Sequence, residues 1–434
     1  MKKNIVIFMY NFPPIGAGRG IAWDQFSKKL AEKNTVNLIT IEASENDPIY
    51  NKSKLINLGS NYNIYRTDPG WLYKRMYPDN SNETLSSTSG RYQSGNYFKV
   101  LLKKIYKTVI RFFIFPDRMI FWNKSAEVKF HEINGKNKVD LIITVGFPFS
   151  THLLGYKIKK RFGTKWLMDY GDPWSFNPSS ETVPFLRRWI DRIVESKIIK
   201  SSDQITVTTN TTKDAFQRLF HGLPDVSVVK QGVDYKMFRN TELLAKSSDS
   251  NTLQLFYSGI FYKDIRNPEA FFTAISRIQR LAKNVDIIIA GNMENYILEM
   301  INTTYFPEFI NIKLIGNISF EEVVNYQRNS DGLLFFGNKG ALQVPGKIYE
   351  YLVSGTPIFS VAYQYDAISE MINNYNRGET SLNSVEQIRD SFENFIHNLC
   401  SECVPYSTAE LKEFDWHNIS EEMNNIVIKT VGNV

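Results

Sequence analysis

The sequence predicts an α/β protein of two doubly wound, Rossmann-like domains facing across a cleft. Three observations predict it. The chain has 434 residues, more than one core accommodates and enough for two domains of about 200 each. Short apolar runs bounded by turn residues alternate with stretches of helical spacing, the grammar of β–α–β units. That alternation starts afresh beyond a polar stretch at 234–251. The domains are read as 1–233 and 234–410, with 411–434 a terminal helix packing back near the first domain.

Residues 5–9 read as the first strand, the loop YNFPPIGAGRG (10–20) leads into a helix over about 21–33, and 36–41 is the second strand. The segment 80–96 is rich in Ser, Asn and Gly and reads as an exposed loop. Residues 99–115 carry apolar side chains at helical spacing, with lysines and Arg111 among them. Strand 141–145, a helix from about 150, strand 166–168, a helix near 185–201, strand 204–208, a helix over 211–220 and an extended 226–230 complete the first domain. The second opens with strand 253–257 and a helix over 268–281, where Pro268 and Glu269 suit a first turn. Strands 285–290 and 312–315 follow, then a helix opening at Ser319, whose partner Glu322 three residues on makes a capping box. Strand 332–336, a helix near 346, strand 357–361 and helices over 386–399 and 413–430 finish the chain. The last of these puts Phe414, Trp416, Ile419, Met423, Ile426 and Val427 on one side, a face wide enough to need burial.

The net charge of +6 is not spread evenly. Residues 97–124 hold seven Lys or Arg against the single Asp117, a balance equal to that of the whole chain. One basic patch without a recognition motif argues against nucleic acid as a partner. No apolar run reaches the length of a membrane span. The start MKKNIVIFMYNFPP turns polar at Asn11 with no small-residue cleavage site after it, so it reads as a buried strand and the cytoplasm is the expected compartment. Cys400 and Cys403 have C-x-x-C spacing, but they follow a helical pattern and lack two further ligands, so the pair reads as incidental.

Ligands of open parallel sheets sit at the carboxyl ends of strands, and three loops there carry chemistry. In the first, Gly16, Gly18 and Gly20 permit close backbone approach to an anion at a helix start, with Arg19 adding a charge; a tight turn alone explains the same residues. In SGIFYKDIRNPE (258–269), Gly259 allows close approach, and Lys263 and Arg266 offset a diphosphate. In GNKGALQVPGKIYEYLVSGTPIFSV (337–361), Leu342, Gln343, Val344 and Pro345 bring amides to the start of a helix beside Lys347. Glu350 follows one turn in, where a carboxylate can accept from a ribose hydroxyl pair; a surface glutamate fits the spacing as well. In the first domain MDYGDPW puts Asp169, Asp172 and Trp174 after a strand, where the indole can stack on a sugar, and His152 opens a helix within reach of the same place.

Together these pieces resemble a glycosyltransferase of the GT-B superfamily, family 4 type, over nearly the whole chain. The most specific match is VPGKIYEYLVSGTPI (344–358), which resembles the family's donor-binding signature; PPIGAG, DLIITVGFPFSTHLLG, DYGDPW and KQGVD support it. The resemblance implies an α-retaining hexosyl- or N-acetylhexosaminyltransferase using a nucleoside-diphosphate sugar, UDP- or GDP-linked. Glu350 would bind ribose, Arg266 the diphosphate, backbone at Asn317 and Ile318 the base, and Gly16 to Gly18 would lie beside the phosphates. No metal or other cofactor is implied, and the sequence has no D-x-D. Asp172, Arg266 and Lys347 are the catalytic candidates; Arg19, His152, Asp169, Asp172 and Trp174 are the acceptor-binding ones. The chain departs from the family at four places. Leu342 stands where a glutamate meets the transferred sugar, Ile260 where an arginine is usual, and Gln231 where an asparagine is; the histidine often found near Asp172 is missing there.

The basic, apolar run 99–115 suits contact with an anionic membrane, hence a peripheral location at its inner face and a glycan acceptor carried on a polyprenyl diphosphate, in surface polysaccharide synthesis. A domain helix packed on the sheet explains that run equally. Two other functions fit the same lobes: a sugar-nucleotide epimerase and a catalytically silent sugar-nucleotide-binding protein.

Overall fold

The computed structural model describes residues 2–16, 18–56, 58–78, 114–177, 184–244, 251–340, 344–401 and 404–432. Leu342, Gln343, Cys403, the loop at 80–96 and nearly all of the basic run at 99–115 lie outside the described residues. The chain divides into two compact units, one of residues 1–230 with 419–434, the other of 231–418.

The first unit runs β1 (Asn4–Phe8), α1 (Gly18–Ala31), β2 (Thr35–Ile41), β3 (Asn63–Thr67), α2 (Trp71–Met76), α3 (Asn123–Lys136), β4 (Leu141–Gly146), α4 (Ser150–Phe162), β5 (Lys165–Tyr170), α5 (Phe185–Ile199), β6 (Gln204–Val207), α6 (Asn210–Leu219) and β7 (Asp225–Val228). Its strands pair in parallel in the order β3-β2-β1-β4-β5-β6-β7, so the direction of winding reverses between β1 and β4. NIVIF of β1 and LIITVG of β4 are buried throughout, as strands covered on both faces must be. Against the core of one face, Trp122, Phe130, Trp166 and Tyr170 pack with Phe8 and Met168.

The second unit contains α7 (Tyr235–Asn240), β8 (Thr252–Ser258), α8 (Glu269–Ser276), β9 (Asn284–Ala290), α9 (Asn295–Thr303), β10 (Ile310–Gly316), α10 (Phe320–Asn329), β11 (Gly332–Phe336), α11 (Gly346–Ser354), β12 (Ile358–Ala362), α12 (Ala367–Asn374), β13 (Gly378–Leu382) and α13 (Val385–Cys400). Its parallel order is β10-β9-β8-β11-β12-β13, with the reversal between β8 and β11. One face carries an aromatic cluster around Phe271, Phe336, Phe359 and Phe392, in edge-to-face contacts. Ser319 and Glu322 close the capping box that opens α10. The helix expected over 268–281 stops at Ser276, where Arg277 turns its amide to the Ala274 carbonyl at 3.1 Å.

The last helix, α14 (Trp416–Val431), begins in the second unit and continues in the first. Phe414, Ile419, Met423 and Val427 are buried. In the KQGVD segment a Cβ on Gly232 would lie 2.3 Å from the Trp416 ring, so only glycine fits under the indole.

Candidate functional site

In the second unit three glycines follow three neighbouring strands. Gly259 after β8, Gly291 after β9 and Gly316 at the end of β10 have φ of +148°, +125° and +68°. They are linked in series: Gly259 donates its amide to the Ala290 carbonyl at 2.9 Å, and Gly291 donates to Gly316 at 2.7 Å. A Cβ on Gly291 would lie 2.5 Å from the Gly259 carbonyl oxygen. Side chains are thereby excluded from the carboxyl-end rim, which leaves backbone open to close approach.

Cationic groups stand at that rim. Lys347, in the first turn of α11, donates to the Ser258 carbonyl oxygen and lies over the Tyr257 ring at 5.4 Å. Burial and the neighbouring Arg266 guanidinium lower its ammonium to about 8, with Glu350 opposing. Arg266 is held by Asn338 Oδ1 at 2.9 Å and by the Ile260 carbonyl at 3.3 Å. Its loop is closed by paired Tyr262 and Arg266 backbone bonds. Lys263 is exposed, with its ammonium 5.9 Å from the Tyr296 ring centre. Pro345 is the N-cap of α11, so the helix starts with amides that no capping side chain covers. Val344 and Ile318 pack at the edge of the core, and Asn317 bonds the Asn292 amide oxygen at 2.8 Å.

Glu350 is half-buried. Gln327, itself buried, donates to its Oε2 at 3.2 Å, and burial pushes the carboxyl up while Gln327 and Lys347 hold it down. A helical glutamate fixed by an amide and facing a lysine is pre-positioned, unlike a surface glutamate in bulk water.

In the first unit the loop after β1 is pinned along its length. Lys54 donates to the Gly16 carbonyl at 2.6 Å, Asn51 to Pro14 at 2.9 Å and Arg66 to Pro13 at 2.8 Å. Gly16 has φ +90°, and a Cβ there would stand 2.6 Å from the Asn11 carbonyl oxygen. Gly18 opens α1 and is exposed. Asn11 donates to Phe147 at 3.1 Å, which ties the loop to the end of β4. Asp172 lies beside Arg19; burial pushes its carboxyl up and the guanidinium draws it back.

Three first-unit residues read as acceptor ligands have their working groups buried. Asp169 lies inside β5, not after it, and is fully buried; it accepts from Arg19 Nε at 2.8 Å, Trp23 Nε1 at 2.7 Å and Thr206 at 2.7 Å. With its acceptor capacity taken up, it is an internal anchor, and Arg19 is its counter-ion. His152 is buried under Gly146, bonded through Nδ1 to Thr144 at 2.8 Å, and burial lowers its pKa to about 3, so it is neutral. Trp174 is buried and stacked flat on Phe149, with ring centres 5.3 Å apart and 4° between planes. Its face is occupied by protein and not open to a sugar.

No family model matches the chain, and no curated protein matches it. Solved structures do. A sucrose-phosphate synthase from Thermosynechococcus elongatus superposes with a TM-score of 0.65 at 13% identity over 98% of both chains. The catalytic domain of starch synthase IV from Arabidopsis thaliana, bound to ADP and acarbose, gives 0.60 at 9% identity over 100% of each. A lipopolysaccharide outer core galactosyltransferase gives 0.58 at 14% identity, covering 98% of this chain and 99% of that one. The fold is GT-B. At such identities the likeness reaches the fold and stops there.

Several residues that shape this GT-B chain's second unit escape the strand-end reading of the sequence. Gly291 and Asn292 repeat the Gly-Asn pair that ends β10 at Gly316 and Asn317, so the dipeptide after an apolar strand was a usable signal. Asn338 and Gln327, which hold Arg266 and Glu350, come from 72 and 23 residues away and had none.

Proposed function

We propose that the protein is a retaining glycosyltransferase of the family 4 type, moving a hexosyl or N-acetylhexosaminyl group from a UDP- or GDP-sugar to a glycan acceptor. The observation that carries this reading is the second-unit rim, where Lys347, Arg266 and Glu350 converge beside three glycines in left-handed backbone. Glu350 accepts from the ribose hydroxyls. Arg266, Lys347 and Lys263 face the diphosphate, with Gly259 and the main chain at 344–345 beside it. Asn317 and Ile318 meet the base, and Gly16 and Gly18 serve the phosphates from their own loop.

The bond from the anomeric carbon to the phosphate oxygen breaks as the acceptor hydroxyl oxygen bonds to that carbon on the same face. The hydroxyl proton passes to the departing phosphate oxygen. Negative charge grows on the diphosphate, and Arg266, Lys347 and the α11 amides stabilise it. Asp172, with Arg19 beside it, orients the acceptor hydroxyl. A lipid-linked glycan is the acceptor class that accords with the basic run at 99–115, placing the enzyme at the inner face of a membrane.

A melting-temperature screen against nucleoside diphosphates and their sugars, repeated with Glu350→Ala, tests the site. A rise specific to one nucleotide that vanishes in the variant is expected; an equal rise in both proteins removes Glu350 from the site. Tight nucleotide binding without transfer to any acceptor would favour a silent binding protein instead.

A further inference from the structure

We infer that the solvent face of α5 in the first unit is a docking surface for an anionic lipid bilayer. Four large apolar side chains stand out along this helix: Phe185 is 78% exposed, Trp189 56%, Leu186 54% and Ile193 49%. At the helical rotation per residue they fall within about 100° of the circumference, so they form one stripe and not a scatter. Isolated exposed apolar residues need no explanation, but a contiguous stripe of this size does.

Among the described residues of the helix, the charges around the stripe have a single sign. Arg192, Lys197 and Lys200 are exposed within or beside the same arc, and Arg188 flanks it. The acids of the helix point the other way. Asp191 is buried against Arg187 at 3.1 Å, and Glu195 is buried as the acceptor for the Ser175 amide. Arg187 lies 4.7 Å from the Phe115 ring centre and donates to the Pro116 carbonyl at 2.6 Å, so residues 115–116 within the basic run 97–124 meet the start of α5. The only acid in that run, Asp117, is turned inward onto Ser150 at 2.9 and 2.8 Å.

This pattern selects the occupant. A bilayer takes Trp, Phe, Leu and Ile into the acyl boundary while the cations stay at anionic headgroups, and a basic helix face with these residues fits that geometry. A second copy of the chain meeting this face about a two-fold axis would set cation against cation. The inference uses no residue of the sugar-transfer site, but it deepens the proposed membrane location and shares with it the basic run at 97–124.

Flotation of the full chain with vesicles tests it. With phosphatidylcholine vesicles containing one-third phosphatidylglycerol, the protein co-floats, and added salt weakens the binding; with phosphatidylcholine alone, it stays in solution. Trp189→Glu with Ile193→Glu lowers binding by at least about tenfold, and Arg192→Glu with Lys197→Glu lowers it at least as much on the anionic vesicles. Both variants keep the wild-type melting temperature, because the altered side chains lie in solvent. Equal binding to neutral and anionic vesicles, or unchanged binding of both variants, overturns the inference. So does a dimer in light scattering that Trp189→Glu dissociates, or a large fall in melting temperature, which would mean that protein covers the stripe.

Discussion

The Lys347 ammonium donates to the carbonyl oxygen of Ser258, which joins the first turn of α11 to the last residue of β8 immediately before Gly259. Burial and Arg266 hold this lysine at about 8, so the free protein loses the charge as pH rises through that value. A diphosphate favours the charged form, and binding above that pH must take up a proton. Titration calorimetry with the preferred nucleotide is therefore expected to show affinity falling between about pH 7 and about pH 9. Lys347→Met flattens that profile and weakens binding by roughly 1.5–3 kcal/mol, the worth of a charged hydrogen bond. A variant with the wild-type slope would remove Lys347 from the proposed phosphate site.

Gly291 and Gly316 separate conformational strain from collision. Alanine at Gly291 meets both a φ of +125° and a carbonyl oxygen 2.5 Å from its Cβ, whereas at Gly316 the φ is +68° and the space is open. Gly291→Ala is expected to cost more than the roughly 1–3 kcal/mol of strain alone, and to abolish the nucleotide-induced rise in melting temperature. Gly316→Ala remains within about 1–2 kcal/mol of wild type. Equal losses from the two would mean that the Gly259–Gly291 contact does not shape the rim.

Asp169 and Asp172 differ in kind although three residues apart. Removing the Asp169 carboxylate orphans Arg19 and two further donors, so Asp169→Ala is expected to cost about 3–5 kcal/mol in urea unfolding. Asp172→Asn is expected to leave nucleotide binding intact and to lower kcat for transfer. Should Asp169→Ala unfold at the wild-type urea concentration, the anchor role is wrong.

Glu195 supplies a pH test of the first unit. Burial pushes its carboxyl to about 7, against the bond from the Ser175 amide that holds it down. Its folded-state value lies above the unfolded one, so protonated Glu195 is tolerated and ionised Glu195 is destabilising. Its favourable term is complete below the unfolded pKa and is lost as pH rises through about 7. Relative to Glu195→Gln, the wild type is expected to lose roughly 3 kcal/mol between about pH 4.5 and pH 8, read from paired urea curves.

Strands buried on both faces were legible as apolar runs, and so was the Ser319–Glu322 cap, because each depends on neighbours in the chain. The edge strands NIYRT and GETSL were not: half-exposed and polar, they lack the apolar signature and exist through the partner beside them. At the second-unit rim, Gly259, Lys347 and Glu350 could be named from sequence because they fall at fixed offsets from strand and helix ends, whereas Gly291 and Gly316 were not. Asn338 and Gln327 could not.

Sequence by itself determined the two β–α series and the polar groups at strand ends, since periodicity and turn chemistry are local. Tertiary structure alone decided which of those groups are occupied internally. Asp169 went to Arg19 across 150 residues, His152 went beneath Gly146, and the Trp174 ring went onto Phe149. A buried charge or donor must find a partner, and which partner it finds depends on which strands the winding makes neighbours.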